Sequence, residues 1–98
     1  MVQFRNSVFL LFENYRYLKM SNVSWIKVFE LPLLDYMEML LETSAPEDVK
    51  MFAEQIGIHG KCFNTMYKAE FTKLMICTRE VLIKKNLSPG SRRILLYL

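Results

Sequence analysis

The chain has 98 residues, of which 52% are hydrophobic, 23% charged and 13% aromatic, and its formal net charge is +3. So many apolar side chains exclude a disordered segment, and the apolar runs stop far short of the roughly 18–20 residues that span a bilayer. The sequence therefore predicts one folded domain or part of one, with no secretory leader and a location inside the cell.

The first predicted helix, near residues 2–19, is apolar on more than one face. Phe9, Leu10 and Phe12 extend its apolar surface beyond a single stripe. We expect these three residues to form an open apolar flank that takes part in self-association or contacts a partner. The main stripe has the four-three-four-three spacing of a helix face and consists of Phe4, Val8, Leu11, Tyr15 and Leu18.

A connector and a second helix follow. Trp25 in the connector is either an anchor for a partner peptide or a staple that holds the connector down. Pro32 fits the first turn of a helix near residues 30–43, because proline cannot donate a backbone hydrogen bond. The buried stripe predicted for this helix is Leu33, Met37, Leu40 and Leu41.

The third predicted helix, near residues 45–63, has clear starting signals. The segment SAPE at residues 44–47 combines a capping serine, an early proline and a glutamate three residues on. Asp48 adds negative charge where the helix dipole favours it. Gly57 and Gly60 each lower helix propensity by about 1 kcal/mol relative to alanine, so we expect them to serve close helix approach.

Two further helices are predicted near residues 66–85 and 89–98, which makes the chain all-α with about five helices. Short connectors between consecutive helices favour antiparallel neighbours. From the residues alone, two arrangements of such hairpins remain open, a small closed bundle and a helical-repeat solenoid.

His59 and Cys62 are the residues closest to a reactive arrangement. They lie one helical turn apart, near enough for a Cys-His couple or for two metal ligands. A structural role fits better, because two ligands do not make a metal site and no third candidate has suitable spacing. Cys77 resembles a small buried hydrophobe. The sequence predicts no enzyme, no catalytic residue, no metal and no cofactor.

Four cations lie close together in sequence around the end of the fourth predicted helix and the start of the fifth. Lys84 and Lys85 suit a helix C-terminus, whereas Arg92 and Arg93 fall where positive charge is mildly unfavourable. We call these four residues the basic corner. They either bind RNA phosphates or an acidic protein segment, or they are ordinary solvated helix ends.

Four segments resemble the later helices of the middle domain of eukaryotic translation initiation factor 4 gamma. The similarity is nearer to the small proteins that consist largely of that domain, and it extends to related regions of the cap-binding-complex-dependent initiation factor and the poly(A)-binding-protein-interacting protein. The segments are FRNSVFLL at residues 4–11, KVFELPLL at 27–34, REVL at 79–82 and LSPGSRRILLYL at 87–98.

The resemblance implies a single partial α-solenoid of HEAT-like antiparallel hairpins over residues 1–98, without the first hairpins of the family domain. It implies a non-enzymatic scaffold in mRNA translation or mRNA metabolism that binds helicases or mRNA-binding proteins in the cytoplasm, with the nucleus as a second location. Direct RNA binding through the basic corner is the alternative. Because hairpins of the family domain are missing, we also expect a homo-oligomer. The shortness of the apolar runs predicts no membrane contact.

Overall fold

The computed structural model describes residues 2–21 and 24–98, with side chains over residues 3–21 and 27–98. Within these residues it contains five α-helices and no strand, which confirms the all-α prediction. No helix of this part of the chain has the length and apolar character that crossing a bilayer would need. Trp25 lies outside the residues whose side chains the structure describes. The helices are α1 (Val2–Met20), α2 (Glu30–Thr43), α3 (Pro46–Met66), α4 (Lys68–Lys84) and α5 (Pro89–Leu96), and a 3₁₀-helix (Ser24–Phe29) leads into α2.

The sequence predicts that Ser44 caps α3. In the structure Ser44 instead ends α2. Its backbone has a φ of 59°, the left-handed conformation in which helices commonly end. In this conformation its N–H donates to the Leu41 carbonyl oxygen over 3.1 Å. Ala45 is then extended and Pro46 begins α3, the position that suits a residue without an N–H group.

α1 and α2 form an antiparallel hairpin. Phe4, near the start of α1, lies against Tyr36 in α2 with ring centroids 6.3 Å apart. Tyr15, near the end of α1, reaches back to Glu30 at the start of α2. The connectors between α2, α3 and α4 are only one or two residues long, so these helices also reverse direction from one to the next.

Each helix contacts the next helix of the chain and the next but one. α3 therefore contacts all four other helices and is the centre of the described structure. Stacked hairpins pack against their sequence neighbours in this way, and the solenoid architecture stays a prediction.

The hydrophobic core lies between the packed helices. Fully burying an aliphatic or aromatic side chain stabilises a fold by about 1.5–3 kcal/mol. The buried stripe predicted for α2 is confirmed at all four positions. Core side chains of the other helices include Val8, Tyr15, Val49, Phe52, Phe63, Leu74, Val81 and Leu95.

Phe12 does not belong to the open flank that the sequence predicts. Its side chain is 1% exposed, compared with 43% for Phe9 and 61% for Leu10. The Phe12 ring stacks on the imidazole of His59 in α3, with centroids 5.5 Å apart. Leu11 stays 38% exposed instead. Both adjacent residues satisfy the helical period, and packing against α3 selects Phe12 for the interior.

The two glycines of α3 have different surroundings. A Cβ added at Gly60 would lie 3.4 Å from the ring of Phe71 in α4 and 3.3 Å from the side chain of Ile56. A Cβ at Gly57 would meet nothing within 4 Å. The predicted role in close helix approach is confirmed for Gly60 and is wrong for Gly57.

Candidate functional site

An open cleft of about 440 Å³ lies between α1 on one side and the 3₁₀-helix and α2 on the other. This volume falls within the range of about 300–1,000 Å³ that is typical of ligand pockets. The buried Tyr15 ring belongs to its lining. We call it the α1–α2 cleft, and its lining residues are Leu11, Asn14, Tyr15, Tyr17, Leu18, Phe29, Pro32, Leu33 and Tyr36.

The described residues that line the α1–α2 cleft are mostly apolar and aromatic, and none of them is a lysine, arginine, histidine, aspartate or glutamate. Leu11 is 38% exposed and Phe29 is 42% exposed, so apolar surface is open to a partner. Asn14 and Tyr17 are also exposed and add hydrogen-bonding groups. Large amphipathic rings of this kind are enriched in protein interfaces.

The sequence predicts an apolar flank on α1 but not this cleft. The opposite wall comes from residues 29–36, and the cleft exists only because α2 folds back along α1. The sequence signal was the apolar run that continues through Phe29 and Pro32. That run identifies apolar residues but does not show which of them face α1.

The buried carboxylate of Glu30 connects the cleft wall to neighbouring elements through two hydrogen bonds. The Tyr15 hydroxyl donates to one Glu30 oxygen over 2.6 Å, and the Tyr67 hydroxyl donates to the other over 2.8 Å. Burial and the bond to Glu30 raise the pKa of Tyr15. The bond to Glu30, with some burial, raises the pKa of Tyr67 to about 12. Both phenols therefore stay protonated donors at neutral pH and join α1, α2 and the α3–α4 connector.

His59 is part of an aromatic cluster next to Tyr15. Its ring centroid lies 5.3 Å from that of Tyr15 and 5.9 Å from that of Phe63. Its side chain is 4% exposed, and its Nε2 has no hydrogen-bond partner among the described residues. Burial lowers the pKa of His59, and the nearby Lys19 and Arg16 lower it further. The imidazole is therefore neutral at pH 7 and packs as an aromatic ring.

Cys62 does not pair with His59. Its sulfur instead contacts Nζ of Lys19 at 2.8 Å and Sδ of Met66 at 3.5 Å. Among the described residues, no group of three or more histidine, cysteine, aspartate or glutamate side chains is arranged to hold a metal ion. These positions favour the structural interpretation of His59, while the contact between Cys62 and Lys19 was not anticipated from the sequence.

Asp48 anchors the beginning of α1 to α3. Its carboxylate is 0% exposed and accepts a hydrogen bond from Arg5 Nη1 over 3.2 Å. The Thr43 hydroxyl donates to the other carboxylate oxygen over 2.6 Å. Asp48 thus does more than complement the dipole of α3, because buried carboxylates are stable only when hydrogen bonds or opposite charges compensate them.

Arg92 of the basic corner has a structural contact. Its guanidinium donates to the Leu82 carbonyl oxygen over 3.1 Å. Leu82 lies in the last turn of α4, where carbonyl groups lack partners within the helix and where positive charge is favourable. This contact explains why an arginine occupies the early part of α5 despite the dipole of that helix.

The other cations of the basic corner are exposed, as is Arg92. Lys84 and Lys85 line a second cleft together with Glu42 and Glu80. Acidic side chains therefore lie near these two lysines, while Arg93 projects from α5. The four cations lie at the end of α4 and in α5, and carboxylates lie beside Lys84 and Lys85.

Comparison with known proteins gives one plain result. No protein-family model, no curated protein and no solved structure matches this chain. The resemblance to the middle domain of initiation factor 4 gamma stays a prediction from sequence. Two of its segments, residues 4–11 and 27–34, contribute to the α1–α2 cleft, with Leu11 from the first and Phe29, Pro32 and Leu33 from the second.

Proposed function

We propose that this chain is a non-enzymatic protein-interaction scaffold that acts in mRNA translation or mRNA metabolism, in the cytoplasm and also in the nucleus. The observation that carries the interaction role is the open apolar α1–α2 cleft. The resemblance of four sequence segments supports the assignment to translation. The contacts of each helix with the next helix and the next but one are compatible with HEAT-like hairpins and give further support.

The proposed occupant of the cleft is a short apolar segment of a helicase or an mRNA-binding protein. Apolar lining residues such as Leu11 and Leu18 would lose contact with water on binding, which is favourable by about 25 cal/mol per Å². Asn14 and Tyr17 can bond to the backbone of such a segment. Because the described lining residues include no basic side chain that could neutralise nucleic-acid phosphates, the cleft favours a peptide over RNA.

A substitution pair tests the cleft. Leu11→Glu places a charge inside the α1–α2 cleft, whereas Ile83→Glu places the same charge on an exposed apolar residue of α4 that does not line it. Capture of helicases and mRNA-binding proteins from cytoplasmic extract, with and without ribonuclease, is compared for both variants. We expect Leu11→Glu to weaken capture at least about tenfold, or 1.4 kcal/mol, and ribonuclease to change nothing. Equal capture by both variants, at unchanged helix content, would contradict the proposal.

Direct RNA binding through the basic corner is the second candidate. The observation that favours it is the exposure of all four cations at the α4–α5 connector. Binding of a labelled RNA is measured as salt increases, with a slope of about −0.7 per neutralised phosphate expected for a single strand. Lys85→Glu with Arg93→Glu is the informative variant, because it leaves the structural contact of Arg92 intact. If RNA binds and this variant weakens it with a smaller salt slope, the second candidate replaces the first.

A further inference from the structure

Lys19 of α1 and Cys62 of α3 place two reactive atoms in direct contact across a helix interface. The Lys19 Nζ atom lies 2.8 Å from the Cys62 Sγ atom. This distance is shorter than the most common N–H···O hydrogen-bond length of about 2.9–3.0 Å, although sulfur is a larger atom than oxygen. No other atom separates the amine nitrogen from the thiol sulfur.

Neighbouring groups hold this pair in place. The Lys19 ammonium lies over the ring of Tyr15, 5.7 Å from its centroid, in a cation–π arrangement. Tyr15 is itself fixed by its hydrogen bond to the buried Glu30. Lys19 is exposed and Cys62 is half-buried, so a small dissolved oxidant can reach the sulfur.

We propose that Cys62 is an oxidation site and that a peroxide converts the Lys19–Cys62 contact into a covalent sulfur–nitrogen bond. In the first step the Cys62 sulfur attacks a peroxide oxygen and the O–O bond breaks. One oxygen stays on sulfur as a sulfenic acid, and the other leaves as water with the thiol proton. Sulfur is oxidised by two electrons and the peroxide is reduced by two.

The second step joins the two side chains. The neutral amine of Lys19 attacks the sulfenic sulfur, the S–N bond forms and the S–O bond breaks. The hydroxyl group leaves as water with one proton from the amine, which gives a sulfenamide. Two equivalents of an added thiol reverse the bond, restoring the thiol and the amine and forming the disulfide of the added thiol. The product is a reversible covalent link between α1 and α3.

Cys77 is the matched comparison within the same chain. Its sulfur donates to the Glu38 carboxylate over 3.3 Å, and burial together with this bond raises the pKa of the Cys77 thiol. Because the thiolate is the form that reacts with peroxide, burial and the bond to Glu38 slow the oxidation of Cys77.

The experiment treats the full chain with hydrogen peroxide in mildly alkaline buffer and digests it with trypsin under non-reducing conditions. A modified Lys19 resists trypsin, so the expected product joins peptide 17–27 to peptide 62–68. Mass spectrometry should give their summed mass less two hydrogen atoms, and dithiothreitol should abolish the product. Cys77→Ser should still form it, whereas Lys19→Arg, which keeps the positive charge but has no neutral amine, should not.

A thermal melt gives an independent readout, because the link should raise the midpoint of the wild type but not that of Lys19→Arg. The proposal would be overturned if trypsin still cleaves at Lys19 after oxidation and Cys62 is recovered as a sulfinic acid or as a disulfide between two chains. A wild type that peroxide leaves unmodified at Cys62 would overturn it as well. The proposal does not depend on the proposed scaffold function.

Discussion

Glu30 brings a carboxylate into an otherwise apolar interior, and two phenols compensate it. The side chain is 2% exposed, and its two oxygens accept from Tyr15 and Tyr67. A buried polar group that loses a partner costs the fold its desolvation penalty, which exceeds the net gain of an ordinary hydrogen bond. The cluster therefore selects one position of α1 relative to α2 and the α3–α4 connector.

Tyr67→Phe should destabilise the fold by about 1.5 kcal/mol, the low end for a bond to a charged group, because Tyr67 is only half-buried. Because the pKa of Tyr67 is about 12 in the folded state, the stability that this bond contributes should depend on pH. Since folding raises this pKa above the unfolded value of about 10, the contribution is complete below pH 10 and is lost as pH rises toward 12. Urea unfolding at pH 7 and pH 11 measures both effects. Tyr17→Phe, at a residue 72% exposed, is the control, and an equal loss there would contradict the assignment.

His59 is a titratable ring used as an aromatic packing group. It lies among Phe12, Tyr15 and Phe63, and its Nε2 atom is buried without a partner among the described residues. A proton on this ring would place a charge next to Lys19 and Arg16, with Glu13 as the opposing charge. Neutral imidazole therefore suits the folded state.

The fold should lose stability as pH falls below about 6.5, the usual value for histidine in an unfolded chain. Folding lowers the pKa of His59, so the unfolded state takes up a proton that the folded state resists. The free energy of unfolding should fall by at most about 1.4 kcal/mol per pH unit from this group. Urea unfolding between pH 7.5 and pH 5.5 measures the slope, and His59→Phe should flatten it. An unchanged slope in the variant would show that other groups cause the loss.

α3 contacts every other helix of the described structure. Its two glycines have different surroundings. Gly60 is buried where α3 meets Phe71 of α4. Gly57 is exposed and has open space around its Cα. Helix propensity penalises both equally, by about 1 kcal/mol relative to alanine, so only their surroundings distinguish them.

Gly57→Ala should stabilise the fold by about 0.8–1 kcal/mol, because alanine favours the helix and the new methyl group meets nothing. Gly60→Ala should gain less, because its methyl group would press on Ile56 and Phe71. Chemical denaturation of the two variants under the same conditions gives the difference. A larger gain for Gly60→Ala than for Gly57→Ala would contradict the close approach of α3 and α4.

The whole molecule leaves apolar side chains open along α1. Leu10 is 61% exposed, Tyr17 72% and Met20 80%. These residues lie seven and three positions apart and therefore lie on one side of α1, where Tyr17 also borders the α1–α2 cleft. Exposed apolar surface of more than a few hundred Å² usually marks an interaction site, and the role of Phe9 and Leu10 in self-association stays a prediction.

We predict that the isolated chain self-associates at high concentration through this side of α1. Sedimentation velocity over a concentration series measures it, and Leu10→Glu should shift the distribution toward the monomer. Ile83→Glu is the control, because Ile83 is 81% exposed on α4 and not on α1. A wild type that sediments as a compact monomer at every concentration would contradict the predicted self-association through α1.

The sequence by itself determined the helices of this protein. Apolar spacing, Pro46 and the Ser88–Pro89 start of α5 are local signals, and the observed helix bounds lie within about three residues of the predicted ones. Helix formation depends on residues three or four positions apart, and these are visible in a linear pattern. The exposed cations of the basic corner were likewise predictable, because charged side chains are rarely buried.

Only the tertiary structure decided which apolar residue of an adjacent pair faces inward and which distant side chains meet. Phe12 is buried and Leu11 is not, because α3 packs on that side of α1. The contacts of Lys19 with Cys62 and of Tyr67 with Glu30 join residues 43 and 37 positions apart. The α1–α2 cleft has the same origin. These features depend on the angle and register at which whole helices pack, and residues nearby in the sequence do not encode that geometry locally.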